Sequence, residues 1–223
     1  MFVLITKTKK IDHAINKLYY IFIKLLDDKS KISFISTCQK TRTFLKNPYC
    51  TFTFDDIYRY NKVKHLNYLN KFSKIKYISI NSKKKIPNNV THLILSENFK
   101  QPIYGYIPNS VTHLTLVDWF DRPIEGCIPN SVTHLIFGDW FNQSIKNCIP
   151  NSVTHLKFGG DLDQRIKGCI PASVTHLETG NNSDFPMIKY IPDNVIYLKL
   201  LNDESYYQRF MEWDEEWDIE WDS

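Results

Sequence analysis

Ile-Pro recurs six times with a period of 21, at Ile86, Ile107, Ile128, Ile149, Ile170 and Ile191, with no insertion between copies. In the copies beginning at Ile107, Ile128 and Ile149 it opens the longer sequence Ile-Pro-Asn-Ser-Val-Thr-His-Leu. A strict period of this length means one coil of chain stacked on the next, each touching chiefly its two neighbours. That moves the functional question from what the chain catalyses to what its surface holds.

The copy from Ile107 to Cys127 serves as a template. Its apolar positions are Ile107, Val111, Leu114, Leu116, Phe120 and Ile124. The next copy has Ile128, Val132, Leu135, Phe137, Phe141 and Ile145, and the next Ile149, Val153, Leu156, Phe158, Leu162 and Ile166. No single coil can bury such a set, but stacked coils turn each position into a continuous apolar column. Leu114 and Leu116 alternate as the inward positions of a short strand. Successive strands therefore predict a parallel sheet with a spacing of about 4.8 Å. Proline sits in the turn before the strand, where no ladder donor is needed, and the Asn and Ser after it can bond the turn's own backbone. The return leg from Asp118 to Ile124 is too short and proline-broken for a full helix and predicts an irregular or 3₁₀ path. At the ends, the fifth copy loses the pattern from Thr179 to Asp184, and the sixth (Ile191, Val195, Leu198, Leu200) stops after its strand. Ile75, Ile78 and Ile80 have the strand spacing and predict a seventh strand capping the sheet.

Val111-x-x-Leu114-x-Leu116 has the spacing of a leucine-rich-repeat strand. Phe141-Asn142-Gln143-Ser144-Ile145, and in near form Phe99-Lys100-Gln101-Pro102-Ile103, resemble the signature of the FNIP repeat. That repeat is a leucine-rich-repeat relative abundant in social amoebae and giant viruses of amoebae. The resemblance covers residues 86–200.

Upstream, Leu18, Ile21, Phe22 and Leu25 follow an i, i+3, i+4, i+7 stripe and predict a helix. Asp27-Asp28 interrupts it, and Ser30 is the expected N-cap of a second helix carrying Ile32, Phe34 and Ile35. The stretch from Asp28 to Cys38 resembles an F-box, the helical module that joins a substrate receptor to the adaptor subunit of a cullin–RING ubiquitin ligase. It departs from that pattern where Leu-Pro would open it (His13 to Lys17) and where Thr41 replaces an aromatic residue. The resemblance implies adaptor contacts at Leu18, Ile21, Phe22, Leu25, Ile32, Phe34 and Ile35. Further on, Cys50 to Phe54 alternates like a strand, and Val63 to Phe72 reads as a helix.

Charge is segregated along the chain. Residues 1–85 carry 19 Lys or Arg against 5 Asp or Glu, whereas residues 201–223 carry 1 against 9. The basic residues are dispersed as on a solvated helical face, so nucleic acid is not an expected partner. No apolar run approaches the roughly 20 residues of a membrane span. Five cysteines without a secretion signal predict reduced thiols, and Cys127, Cys148 and Cys169 form a column of their own. Sites of the Gly-x-Gly-x-x-Gly, P-loop, Gly-x-Ser-x-Gly, Cys-x-x-Cys and His-Glu-x-x-His kinds are all missing from the sequence. The expectation is a chain that is not an enzyme and uses no cofactor.

His92, His113, His134, His155 and His176 occupy one position in successive repeats, pointing away from the core. Two residues on, also outward, come Ile94, Thr115, Ile136, Lys157, Glu178 and Lys199. A linear column does not converge tetrahedrally as zinc ligands must, so the imidazoles read as a polar ladder lining the open face, with no metal. Crowding should lower their pKa values below about 6.5. In the tail, Trp213, Trp217 and Trp221 stand four apart among seven acids, a helical spacing. Three indoles call for cover, whether from the open end of the stack, a partner, or the basic N-terminal region.

The reading as a whole is an α+β solenoid, a leucine-rich-repeat-like stack with a parallel sheet of six or seven short strands, preceded by a small helical module. Its parts are an F-box-like module (1–47), a connecting and capping region (48–85), the repeat solenoid (86–200) and the acidic tail (201–223). What the resemblances imply is a noncatalytic receptor in host cytoplasm, taking a target protein on the sheet face and linking it to the ligase adaptor. The alternative is an interaction scaffold without the ligase.

Overall fold

The computed structural model describes residues 26–37, 53–66, 69–79, 84–96, 99, 102–117, 119–141, 143–159, 167–180 and 191–201. They fall into two compact units, meeting in sequence at Ile75 and Lys76.

In the first unit, helix α1 spans Asp28–Thr37. Its cap is Asp27: the Ser30 N–H donates to Asp27 Oδ1 at 2.7 Å, and the Lys31 N–H to the Asp27 carbonyl at 2.9 Å. Ser30 is therefore inside the first turn and not the N-cap expected from the sequence. A carboxylate three residues ahead of that N–H satisfies an end-of-helix donor and favours the positive end of the dipole. Strand β1 (Phe54–Arg59), a short helix α2 (Tyr60–Val63), a 3₁₀ turn (Leu69–Lys71) and the start of β2 (Phe72–Ser79) follow it among the described residues of the unit. Of the strand expected over Cys50 to Phe54, Cys50 to Phe52 lie outside the described residues, Thr53 precedes β1, and Phe54 opens it. The helix expected from Val63 to Phe72 does not form. Its apolar residues are split between a buried Val63 closing α2 and a buried Phe72 opening β2, which stacks on Phe54 at 4.5 Å.

The second unit is a parallel β-solenoid. Strands β3 (His92–Leu95), β4 (His113–Leu116), β5 (His134–Phe137), β6 (His155–Lys157), β7 (His176–Gly180) and β8 (Tyr197–Leu201) follow β2 in sheet order. From β3 onward, each strand residue pairs with its equivalent one period along, as His92 with His113 and Leu93 with Leu114. The seven parallel strands agree with the expected sheet, but β2 sits in a different register from the one its isoleucines imply. Tyr77 pairs with Leu93 and Ser79 with Leu95, which puts Ile78 beside the outward-facing Ile94. Ile75 and Phe72 are already buried in the first unit. They anchor the strand one residue away from the alternation that Ile78 would have preferred.

In the coil from Ile107 to Cys127, three tight turns close the loop. Val111 N–H donates to the Pro108 carbonyl, Phe120 N–H to Val117, and Cys127 N–H to Ile124, with counterparts in the neighbouring coils. The last of these turns needs a left-handed residue, supplied by Gly105, Gly126, Asn147 and Gly168 at φ between 57° and 72°. No helix occurs in the return legs among the described residues. Of the serines after Pro-Asn, Ser110 and Ser152 bond away from their own turn, as does Ser173 after Pro-Ala, whereas Ser131 Oγ is buried with no hydrogen-bond partner. Ser110, Ser152 and Ser173 donate across to the Val90, Val132 and Val153 carbonyls of the preceding coil, at 2.7–2.8 Å. They rivet one coil to the next. The core columns are dry: Val90, Val111, Val132, Val153 and Val174 are fully buried, as are Leu95, Leu116 and Phe158.

Candidate functional site

The outward sheet face is built by the strand alternation. With Leu93, Leu114, Leu135, Leu156 and Leu177 turned inward, the residues on either side must face out. The five histidines form a continuous stack, with ring centroids 4.0–4.2 Å apart and planes within 16° of parallel. Tyr197 ends it at 5.6 Å from His176. Each Nδ1 lies 2.9 Å from the hydroxyl of the preceding threonine (Thr91, Thr112, Thr133, Thr154, Thr175). From Thr112 on, those hydroxyls donate to the threonine carbonyl one coil earlier, at 3.2–3.4 Å. Each of these hydroxyls is thereby shared between the imidazole beside it and the coil before it.

Burial, then repulsion from His113, His155 and His176, pushes the His134 pKa down to about 4. His155 is lowered by burial and by His176. Desolvation leads here, and the crowding anticipated from the sequence comes second. The unfolded chain, with histidine near 6.5, takes up protons first as the pH falls. Stability is therefore complete above about pH 6.5 and drains as the pH drops toward 4. With an allowance for the partial exposure of the ring, the loss is about 2 kcal/mol. Urea unfolding at pH 7 and pH 5 reads it, and a His134 titration midpoint at or above 6.5 by NMR would contradict it.

Beside the histidines, the second outward column changes character along the stack. Ile78, Ile94, Thr115 and Ile136 give way to Lys157 and Glu178, which form an ion pair at 3.3 Å, and then to an exposed Lys199. One end of the face is apolar and the other charged.

A second surface feature went unread in the sequence. Trp119 and Trp140, on the return legs of successive coils, stack at 4.7 Å and 9° and remain 64% and 44% exposed. Asp-Trp-Phe at the same place in two adjacent repeats was the available signal.

Of the residues implied to meet an adaptor, Leu18, Ile21, Phe22 and Leu25 lie outside the described residues. Ile32, Phe34 and Ile35 are on α1. That helix is held at its start by Asp28, which accepts from the Asp56 N–H at 2.7 Å and pairs with Lys31 at 2.9 Å. Lys31 in turn donates to the Thr53 carbonyl at 3.2 Å. Burial raises the Asp28 carboxyl, but these bonds outweigh it and keep it below its ordinary value.

Cys127, Cys148 and Cys169 are free thiols. Burial, with Glu125 alongside, raises the first two, which keeps them protonated. Among the described residues no group of three or more His, Cys, Asp or Glu is placed to hold a metal. Nor, among them, is any helix long and apolar enough to cross a membrane.

Residues 74–118 and 120–161 match the FNIP Repeat family. The match begins on β2, and β7 and β8 continue the same register beyond it. Among similar proteins, an uncharacterized protein of Acanthamoeba polyphaga mimivirus is 37% identical over 84 residues, 38% of this chain and 26% of the relative. Another from the same virus, named as an F-box protein, is 39% identical over 74 residues, 33% of each chain. A third, named for an F-box and FNIP repeats, is 33% identical over 96 residues, 36% of this chain and 31% of its own. The matched segments therefore span between a quarter and a third of these relatives. The crystal structure of CroV588, a circular leucine-rich-repeat protein, is similar at a TM-score of 0.49 and 36% identity, over 60% of this chain and 21% of that one.

Proposed function

We propose that this chain, a leucine-rich-repeat-like solenoid carrying FNIP repeats, is a noncatalytic receptor that links a target protein to a cullin–RING ubiquitin ligase in the host cytoplasm. The coarser part, protein interaction through the repeats, has the support of the fold and of the names its relatives bear. In the finer part, residues 1–47 dock the adaptor through Leu18, Ile21, Phe22, Leu25, Ile32, Phe34 and Ile35. The sheet face of residues 86–200 takes the target.

The observation that carries the reading is the pair of outward columns. The histidines repeat unchanged, stack on one another and bond the threonines beside them, so they set a common floor. The neighbouring column, with Ile94, Thr115 and Ile136 at one end and Lys157, Glu178 and Lys199 at the other, is free to choose the partner. Such a receptor works by proximity, raising the effective concentration of target beside another subunit's transfer chemistry.

Affinity capture from amoebal lysate tests it. The unmodified chain should retain the adaptor subunit, identified by mass spectrometry, and a Leu18→Asp, Ile35→Asp double variant should lose it. An Ile94→Asp, Ile136→Asp variant should keep the adaptor and lose the target. Absence of adaptor from the unmodified capture removes the ligase link and leaves an interaction scaffold.

A further inference from the structure

Cys127, Cys148 and Cys169 stand one period apart, each directly after the left-handed residue of its coil (Gly126, Asn147 and Gly168). The first two share a backbone setting: the Cys127 N–H donates to the Ile124 carbonyl and the Cys148 N–H to Ile145, both at 3.0 Å. All three side chains are set alike. Each Sγ–H donates to the carbonyl two residues back, Cys127 to Glu125 at 3.2 Å, Cys148 to Lys146 at 3.3 Å and Cys169 to Lys167 at 3.7 Å. Side chains in one orientation on successive coils lie one coil apart. Rings at equivalent positions give that interval: 4.0–4.2 Å for the histidines, 4.7 Å for Trp119 and Trp140, and 5.3 Å for Phe137 and Phe158. Neighbouring sulfurs are therefore about 4–5 Å apart.

That interval selects among sulfur chemistries. A disulfide of about 2.05 Å brings its β-carbons to about 3.8 Å, so both thiols would have to leave their carbonyls to form one. Zinc asks for three or four convergent ligands, which a column does not supply. A soft closed-shell ion held in line between two thiolates fits the side chains as they stand, because two metal–sulfur bonds of about 2.3 Å span about 4.6 Å.

Of the two intervals in the column, charge favours the second. As the ion binds, two S–H bonds break, two sulfur–metal bonds form and two protons leave to water, so a monovalent ion yields a bridge with one negative charge. Exposed Lys146 and Lys167 precede Cys148 and Cys169 by two residues, whereas the exposed Glu125 takes that place before Cys127. Cys148 is 7% exposed and Cys169 only partly covered, which gives the pair a dry end and an open one. Burial holds the Cys148 thiol in its protonated form, and a coordinating ion removes that proton outright.

We propose that Cys148 and Cys169 are the two ligands of a soft monovalent ion of the copper(I) class, held as a linear dithiolate that clasps two successive coils. Silver(I), with the same charge and ligand preference and no change of oxidation state, is the probe. One equivalent added to the reduced full chain should release two protons and slow alkylation of Cys148 and Cys169 about tenfold or more, read by peptide mass spectrometry, with Cys38 and Cys50 unaffected. Cys169→Ser should remove the shielding of Cys148, and a Cys38→Ser, Cys50→Ser double variant should keep it. Lys167→Glu retains both sulfurs and should weaken silver binding about tenfold. Urea unfolding without metal shows that each variant is folded. Three results would overturn the proposal: shielding of Cys148 that survives Cys169→Ser, binding indifferent to Lys167→Glu, or a Cys148–Cys169 disulfide forming in place of metal uptake.

Discussion

Gly159→Ala is expected to destabilise the solenoid by about 3 kcal/mol or more. A β-carbon on this residue would fall on the Asp139 backbone nitrogen and α-carbon and on its carboxylate, inside any tolerable contact distance. Two of the three nearest atoms are main chain, so they cannot yield as a flexible side chain would. Gly126→Ala makes the comparison. There the added carbon meets only the Tyr104 ring at 3.6 Å, an ordinary contact, and the penalty is the left-handed backbone at φ +63°, about 1 kcal/mol. Denaturant unfolding ranks the two. A Gly159→Ala protein as stable as the parent, to within about 0.5 kcal/mol, would mean the coils do not approach this closely.

Phe137→Ala is expected to cost about 3–5 kcal/mol. Phe137 is 1% exposed, lies parallel to Phe158 at 5.3 Å and tilts against Phe141 at 4.6 Å. Removing it opens a void between two coils in the middle of the stack. Because each coil is stabilised by its neighbours, the defect should weaken coupling between the two halves and broaden the unfolding transition. Thermal unfolding followed by circular dichroism checks both effects. A sharp transition at the parent temperature would contradict them.

The middle of the fold was legible because one period controlled it. A spacing of 21 without insertion placed His92, His113, His134, His155 and His176 in register, and period-two alternation decided which residues faced in. Legibility failed where two local preferences competed. Asp27 and Ser30 are both good caps, and the tertiary bonds of Asp28 and Lys31 drew the helix start to the earlier one. Ile75, Ile78 and Ile80 shared a pattern, but burial of Phe72 and Ile75 in another unit shifted the register. The serine rivets were misread because sequence separation hides a bond that reaches back to the preceding coil. The left-handed column of Gly105, Gly126, Asn147 and Gly168 was present at the same period and went unread.

The candidate site divides the same way. The outward columns followed from alternation alone, whereas the polarity change along them has meaning only once the strands are known to lie side by side. The Trp119 and Trp140 stack needed the return leg's path, which no periodicity supplies.

Titrating the purified chain with the purified F-box-binding adaptor subunit of an amoebal cullin–RING ligase, and following the complex by light scattering, tests the receptor reading most directly. A one-to-one complex that the Leu18→Asp, Ile35→Asp variant fails to form is the expected result. No complex at adaptor concentrations of about 100 μM, well above the range of specific protein pairs, would contradict it.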